Sequence, residues 1–455
     1  MSAAGSPVAP DRRGACVSVV AMIRDRRVIL ALLTAMNFLN YIDRAVLSAV
    51  VDPMSVELGL SRFQAGVLNS AFLIGYFATS PLFGGRADKK ARKGLIALGV
   101  AVWSIGTVAS GFAPEFWTLL ASRVVVGIGE SSFAVLAPTI IDDITPLDRK
   151  GRAFAVLFLA LPLGYALGYI LGGAIASRWG WRAAFFGCGG PGLGLALVCL
   201  MIEEPVRKLA DAKARLVDGL REIARLPLFR RAVLGYAAYT ASAAAFAFWA
   251  PSFLVNRFSS AETGLNLKTA NFWFGVVLLG AGAVGTFAGG RWTDRRLRRL
   301  PQPAPGAPYD APEHRAAVNV QLGMCAIGMV IATPITVLCF LLPSPLGFFA
   351  AAFFVEIGLF LSTSPIAAAC LRAVPEERRA SAMAAMIFAI HLLGDLWSPA
   401  ALGLLQDLLA PRIVLAMMAL PLTFALTAFL WWPCRREATG PAVGTGGQAA
   451  LRAVD

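Results

Sequence analysis

The chain alternates long apolar stretches with short polar breaks. A hydrocarbon core of ~30 Å takes about 20 residues of helix, and on that ruler twelve stretches are long enough to span: 28–50, 63–85, 94–113, 116–141, 151–177, 181–202, 231–254, 270–292, 317–342, 346–372, 379–407 and 411–432. The longest break, 203–230, is charged, with room for a short amphipathic helix around Asp211 to Leu226, and it divides the spans six and six. The expected organisation is a tail (1–27), a six-helix bundle (28–202), a cytoplasmic linker (203–230), a second bundle (231–432) and a disordered tail (433–455). The first 27 residues are polar and basic, and no small-residue cleavage pattern follows at signal-peptide distance, so the first span reads as a retained helix.

Charge orients these spans. Of the 41 Lys and Arg residues, 33 fall in the two tails and in the loops after even-numbered spans or at the span ends bordering them, and 6 in the loops after odd-numbered ones or at their borders. By the positive-inside rule both termini are expected in the cytoplasm. The same placement accounts for the net charge of +14. A nucleic-acid partner would need a basic face with base-contacting or aromatic groups, whereas these cations sit between apolar segments. With 57% hydrophobic and 15% charged residues, the chain exceeds what a soluble core requires. It reads as an all-α, multi-pass membrane protein, expected in a bacterial cytoplasmic membrane and as a monomer. The seven cysteines show no C-x-x-C spacing, and five lie in apolar segments, so neither a metal site nor a disulfide framework is expected.

An internal repeat supports the six-plus-six division. Gly84-Gly85-Arg86-Ala87-Asp88 follows the second span and Gly289-Gly290-Arg291-Trp292-Thr293-Asp294 follows the eighth. The same turn at the same place in each half implies duplication with parallel topology.

Charges inside spans carry the candidate chemistry, because each costs roughly 2.5–3.5 kcal/mol at a helix centre and persists mainly beside a partner or a water-filled cavity. The first span contains Tyr41, Asp43 and Arg44, and the fourth contains Arg123 and Glu130. Arg123 and Glu130 are seven apart, hence on one helix face about 10 Å apart along the axis. Asp43 lies about 22 Å from the cytoplasmic end of its helix, between ~27 Å for Arg123 and ~16 Å for Glu130. A four-residue cluster is therefore expected. In it Asp43 and Glu130 titrate, Arg123 is the partner that sets their affinity for protons, and Arg44 is the cation nearest an anionic headgroup. The plainer alternative is a fixed salt bridge holding the first helix against the fourth.

Tyr165 is expected to line the cavity, and Glu356, a lone acid in the tenth span, is a candidate substrate contact. His391 and Asp395 share a face at i, i+4, either as substrate contacts or as a structural polar pair. Gly280-Ala281-Gly282-Ala283-Val284-Gly285 spells G-x-G-x-x-G, but no strand precedes it, so close helix contact is the simpler reading and no cofactor is expected. The glycines at 164, 168 and 172 suggest a similar contact between the fifth and eighth helices.

The turn after the second span resembles the signature of the major facilitator superfamily, with Gly84, Ala87, Asp88, Arg92 and Lys93 in place, Arg86 replacing a Leu and Ala91 a Gly. Within that superfamily the chain resembles the spinster-like transporters, which in animals move sphingolipids and lysophospholipids. Leu39 to Arg44, Arg123 with Gly127 to Ser132, Ala137-Pro138-Thr139, and His391 to Asp395 with Ser398-Pro399 carry that likeness. The resemblance implies twelve helices in two bundles working by alternating access. It also implies a cytoplasmic gate in which Asp88 docks on the start of the eleventh helix, with Arg92 and Asp294 belonging to the same gate. Asp142 and Asp143, expected to face Arg149 and Arg152, are its exchange partners. No nucleotide-binding motif is present, so energy must come from an ion gradient or from the substrate's own gradient. The expected function is proton-coupled movement of an amphiphilic lipid-like anion, of lysophospholipid or sphingoid type. The alternative is proton-coupled movement of a small organic anion or drug.

Overall fold

The computed structural model describes residues 22–87, 91–146, 149–203, 223, 225–259, 264–301, 308–309, 311–375 and 378–433, the side chains of 84–87, 151 and 380 excepted. Both tails, Asp88 and most of the linker segment expected to be helical lie outside the described residues. The elements are α1 Arg26–Ala49, a short α2 Val51–Leu58, α3 Arg62–Ala87, α4 Arg92–Phe112, α5 Phe116–Ile144 and α6 Lys150–Leu200. They continue with α7 Pro227–Phe258, α8 Leu267–Leu297, α9 Pro312–Leu341, α10 Pro345–Phe360, α11 Thr363–Arg372 and α12 Arg379–Ile390. A π-helical stretch His391–Asp395, α13 Ser398–Leu408, α14 Ile413–Met417 and α15 Ala419–Trp431 complete the chain.

Among the described residues, ten helices are long and apolar enough to cross a membrane, and one of them, Arg152–Leu200, is 49 residues long. It makes two passes, because Gly180 breaks α6 with φ 81° and ψ 164°, a backbone state open to glycine and costly for other residues. With the 24-residue α1, less apolar for carrying Asp43 and Arg44, twelve helical passes result, arranged as two six-helix bundles. Local chemistry sets their ends. Pro227, Pro312 and Pro345 open helices, where the missing amide hydrogen costs nothing. Asn266 and Thr269 form a capping box at the start of α8.

Small residues decide which helices touch. Between helices in lipid, van der Waals contact replaces the hydrophobic effect as the main attraction, so glycine at a crossing lets backbones approach. At the crossing of α3 and α5, a Cβ on Gly127 would fall on the Phe72 carbonyl, and one on Gly75 on the Val124 carbonyl. The ladder Gly164, Gly168 and Gly172 packs against Tyr41, Ala45 and Ala49 of α1, and not against the eighth-span helix as its spacing suggested. The four-residue period of small side chains on α1 matches that of α6, which the sequence of α6 alone does not reveal. Contact with α8 is made by the next residue, Gly173, against Asn271. Gly285 meets the Ile357 carbonyl of α10 and Gly289 the Leu361 carbonyl just beyond it, so the G-x-G-x-x-G run serves helix contact.

Candidate functional site

Asp43, Arg44, Arg123 and Glu130 converge in the N-terminal bundle from α1 and α5. Arg44 Nη2 lies 2.6 Å from Glu130 Oε2, and Arg44 Nε donates to the same oxygen at 3.0 Å. The guanidinium carbon sits 4.6 Å from the Phe72 ring centroid and 5.4 Å from that of Tyr41, within cation–π range. Glu130 is 1% exposed, whereas 18% of the Arg44 side chain remains accessible. Of the pair, the cation therefore faces the cavity.

Asp43, fully buried, accepts from Thr107 Oγ1 at 3.2 Å, and its other oxygen has no partner among the described residues. Arg123 is 1% exposed, and its Nε and Nη1 likewise lack partners. It lies within electrostatic reach of both Asp43 and Glu130. The direct contact falls to the other arginine. Arg44, not Arg123, is the direct partner of Glu130, because the two side chains meet across the α1–α5 crossing while Arg123 stays beneath them. The cluster therefore holds two acids and two bases in which only one acid–base pair is closed.

Tyr41 and Tyr165 stand with ring centroids 5.6 Å apart beside Arg44. Across the cavity, His391 Nδ1 is 2.9 Å from both Asp395 oxygens. This pair sits in the π-helical stretch, a widened turn found most often where function demands a local distortion. His391 faces the rings of Tyr76 and Phe77 of α3, with centroids 6.4 and 6.0 Å away. Glu356 is not brought to the cluster. It is buried on α10, 3% exposed, apart from the N-terminal cluster.

On the cytoplasmic side Arg92 pairs with Asp143 at 2.7 Å and donates to Thr139 at 3.1 Å, and Asp142 pairs with Lys150. Arg149 and Arg152, expected to face these acids, are exposed. Arg92 enters α4 directly beside the end of α5, while Arg149 and Arg152 leave the turn on its outer side. Asp294 is exposed at the end of α8.

Sequence reasoning missed the contacts between the two bundles. Asp407, at the end of α13, caps the start of α3: Oδ1 accepts from the Arg62 amide at 3.1 Å and Oδ2 from the Phe63 amide at 2.9 Å. Arg62 in turn donates to Gln406 at 2.7 Å. Asp52 of α2 accepts from Ser252 at 2.6 Å and from Asn256 at 3.0 Å of α7. Burial holds the Asp52 carboxyl above the usual carboxylate range, while those two donors and Arg62 pull it back. Asn271 of α8 donates to the Ala49 carbonyl at 3.0 Å. One signal was available: Arg62 is a rare base in the loops after odd-numbered spans, where a paired acid is the natural reason for it.

These cross-bundle bonds gather at the end of the molecule opposite the basic loops. By the positive-inside rule that end is the outer one, and its closure corresponds to an inward-facing arrangement. Asp407→Ala removes a side-chain cap worth about 1–2 kcal/mol, and only the closed outer face contains it. The outward-facing population is therefore expected to rise roughly 5- to 30-fold. Spin labels at Val56 and Leu408, both exposed and on opposite bundles, would report the lengthened distance. An unchanged distribution would show that the cap does not hold the outer face shut.

Two bundles, a membrane-buried charge cluster at their centre and a closed outer face define a transporter of the major facilitator superfamily, whose sequence profile matches residues 33–399. Within it the chain belongs to the spinster family. It is 30% identical over 453 residues to human Protein spinster homolog 1, covering 93% of this chain and 82% of that protein. To Drosophila melanogaster Protein spinster it is 29% identical over 385 residues, covering 82% of this chain and 60% of the insect protein. The fold matches the crystal structure of a bacterial homolog to the human lysosomal transporter Spinster in an inward-facing, unoccupied conformation, with TM-score 0.77 and 22% identity over 92% of this chain and 99% of the other. An occupied form of that homolog gives TM-score 0.75 at 23% identity, with the same coverage. The protein is a multi-pass membrane transporter, and its relatives are transporters, not enzymes.

Proposed function

We propose that the protein moves an amphiphilic, lipid-like anion of lysophospholipid or sphingoid type by proton-coupled alternating access, in the cytoplasmic membrane of a bacterium. The observation that carries this reading is Arg44. Its guanidinium is the exposed edge of a buried acid–base cluster, flanked by the Phe72 and Tyr41 rings. An anionic headgroup can take the guanidinium while an apolar tail lies along aromatic walls. A headgroup that engages Arg44 weakens its hold on Glu130, and a carboxylate that loses its cation binds a proton more readily. Substrate binding and protonation of Glu130 thus favour each other, and that mutual dependence couples the two movements. Asp43 and Arg123 supply the second acid and base of that coupling. One chain contains both bundles and the whole cluster, so the monomer is the transporting unit.

The lipid class is tested by thermal stabilisation of the detergent-purified protein. Lysophospholipids or sphingoid phosphates are expected to raise the melting temperature in the wild type and not in Arg44→Ala. Short-chain detergents of equal micellar concentration serve as the control. Stabilisation by small polar anions alone would sink the lipid reading.

A further inference from the structure

The two halves repeat a second turn besides the glycine one. Residues 142–153 and 371–382 match through Pro146 and Pro375, Arg149 and Arg378, Lys150 and Arg379, and Ala153 and Ala382. They fold alike. The Arg149 amide donates to the Pro146 carbonyl at 3.0 Å and the Arg378 amide to the Pro375 carbonyl at 3.1 Å, and each turn then enters a helix at Lys150 or Arg379.

Their charges differ where it matters. In the N-terminal half the end of α5 offers Asp142 and Asp143, which take Lys150 and Arg92. In the C-terminal half the corresponding positions are Leu371 and Arg372. A base stands where the repeat has an acid. Arg372 is half-buried and forms no ion pair among the described residues. It lines a cavity of about 520 Å³ together with Arg298, Arg379, His314, Asp294 and Glu313, a size within the ~300–1,000 Å³ usual for small-molecule sites. Neither acid pairs with Arg298 or Arg372 among the described residues. Among the described residues the wall presents three guanidinium groups and two carboxylates.

We propose that this cytoplasmic cavity between α8, α9, α11 and α12 binds a phosphate group, which supplies the negative charge that Asp143 supplies in the other half. Arg372 and Arg298 are its principal ligands, since the planar guanidinium fork matches phosphate oxygens two at a time. The phosphate can come from a phospholipid headgroup of the cytoplasmic leaflet or from the cytosol. The lipid source lies close by. Phe287 and Trp292 of α8 are 71% and 49% exposed on the way to Arg295, Arg296, Arg298 and Arg299, the apolar–aromatic–basic order of a helix leaving the bilayer.

The test uses the full chain in phosphatidylcholine nanodiscs, with phosphatidylglycerol introduced stepwise in one arm and inorganic phosphate titrated in the other. Thermal unfolding and mass spectrometry of retained lipid are the readouts. The wild type is expected to be stabilised in at least one arm, and the responding arm identifies the source. Arg372→Asp restores the carboxylate of the N-terminal repeat, so it should fold while binding at least ~10-fold more weakly, and Arg372→Lys should retain most of the binding. Arg298→Gln provides a second, independent loss should Arg372→Asp fail to fold. Absence of binding in both arms overturns the proposal. So does wild-type affinity in both Arg372→Asp and Arg298→Gln.

Discussion

Glu130→Gln is expected to reduce proton-linked substrate flux by two orders of magnitude or more while leaving substrate counterflow measurable. Glu130 is 1% exposed and its Oε2 holds Arg44 at 2.6 Å. Removing one partner from such a buried pair costs about 3–5 kcal/mol, which corresponds to roughly 10²–10⁴ in rate where the lost interaction belongs to the rate-limiting step. Glutamine keeps the shape and one acceptor oxygen but cannot exchange a proton. It also leaves Arg44 permanently free for the headgroup, so exchange of substrate for substrate can proceed without net proton movement.

Proteoliposomes with a trapped pH dye and labelled substrate separate the two activities. Asp43→Asn, measured the same way, distinguishes the roles of the two acids. The one side-chain hydrogen bond to Asp43 among the described residues comes from Thr107, so its loss should alter the pH dependence of flux more than substrate affinity. If both variants transport at wild-type rates with an unchanged pH profile, the cluster is a fixed brace and the coupling assignment is wrong.

Gly127→Val is expected to prevent accumulation of folded protein. The residue sits where α5 crosses α3, and any Cβ there would overlap the Phe72 backbone carbonyl. Backbone is the obstacle, so no rotamer change relieves it. Overpacking of this kind costs about 3 kcal/mol or more. The displacement would also move Phe72 off the Arg44 guanidinium, and function should fail even in rescued material. Fluorescence-detected size-exclusion chromatography of fusions would show aggregate in place of a monodisperse peak. Gly94→Ala is the matched control, because a Cβ at Gly94 meets nothing within 4 Å and alanine favours the helix by up to ~1 kcal/mol. A monodisperse, active Gly127→Val protein would mean that the two helices separate without consequence.

Much of the fold was legible because a membrane makes each helix satisfy its own backbone. An apolar run of sufficient length is therefore a helix almost regardless of its neighbours. The expected ends of α1 and α5 differ from the observed ones by at most three residues. The break at Gly180 was legible as a polar interval, Arg178 to Gly180. Less legible was the partner of each face. The glycine ladder of α6 declares a close contact but not with which helix, since small residues advertise proximity without chemistry. Arg123 and Glu130 were rightly placed on one face by their spacing. Which arginine closes on Glu130 depended on how α1 crosses α5, and spacing within a helix does not encode that.

The sequence by itself predicted twelve apolar membrane-spanning stretches with their basic ends on one side, and a shared polar site for the charged groups in the first and fourth spans. Those conclusions follow from the cost of burying charge and backbone in lipid, a cost each segment bears alone. Only the tertiary structure decided that Arg44 guards the cavity edge, that Arg92 belongs to Asp143, that Glu356 is buried apart from the cluster, and that Asp407 closes the outer face by capping a helix of the opposite bundle. Each of these depends on segments well separated in the chain meeting at a particular rotation and depth. Tight crossings such as Phe72 on Gly127 fix that rotation, and no local pattern contains it. Asp43 and Arg44 mark the division most clearly: adjacency in sequence brought both to one site, and packing turned Arg44 toward Glu130 and the cavity and Asp43 toward Thr107 in the closed interior.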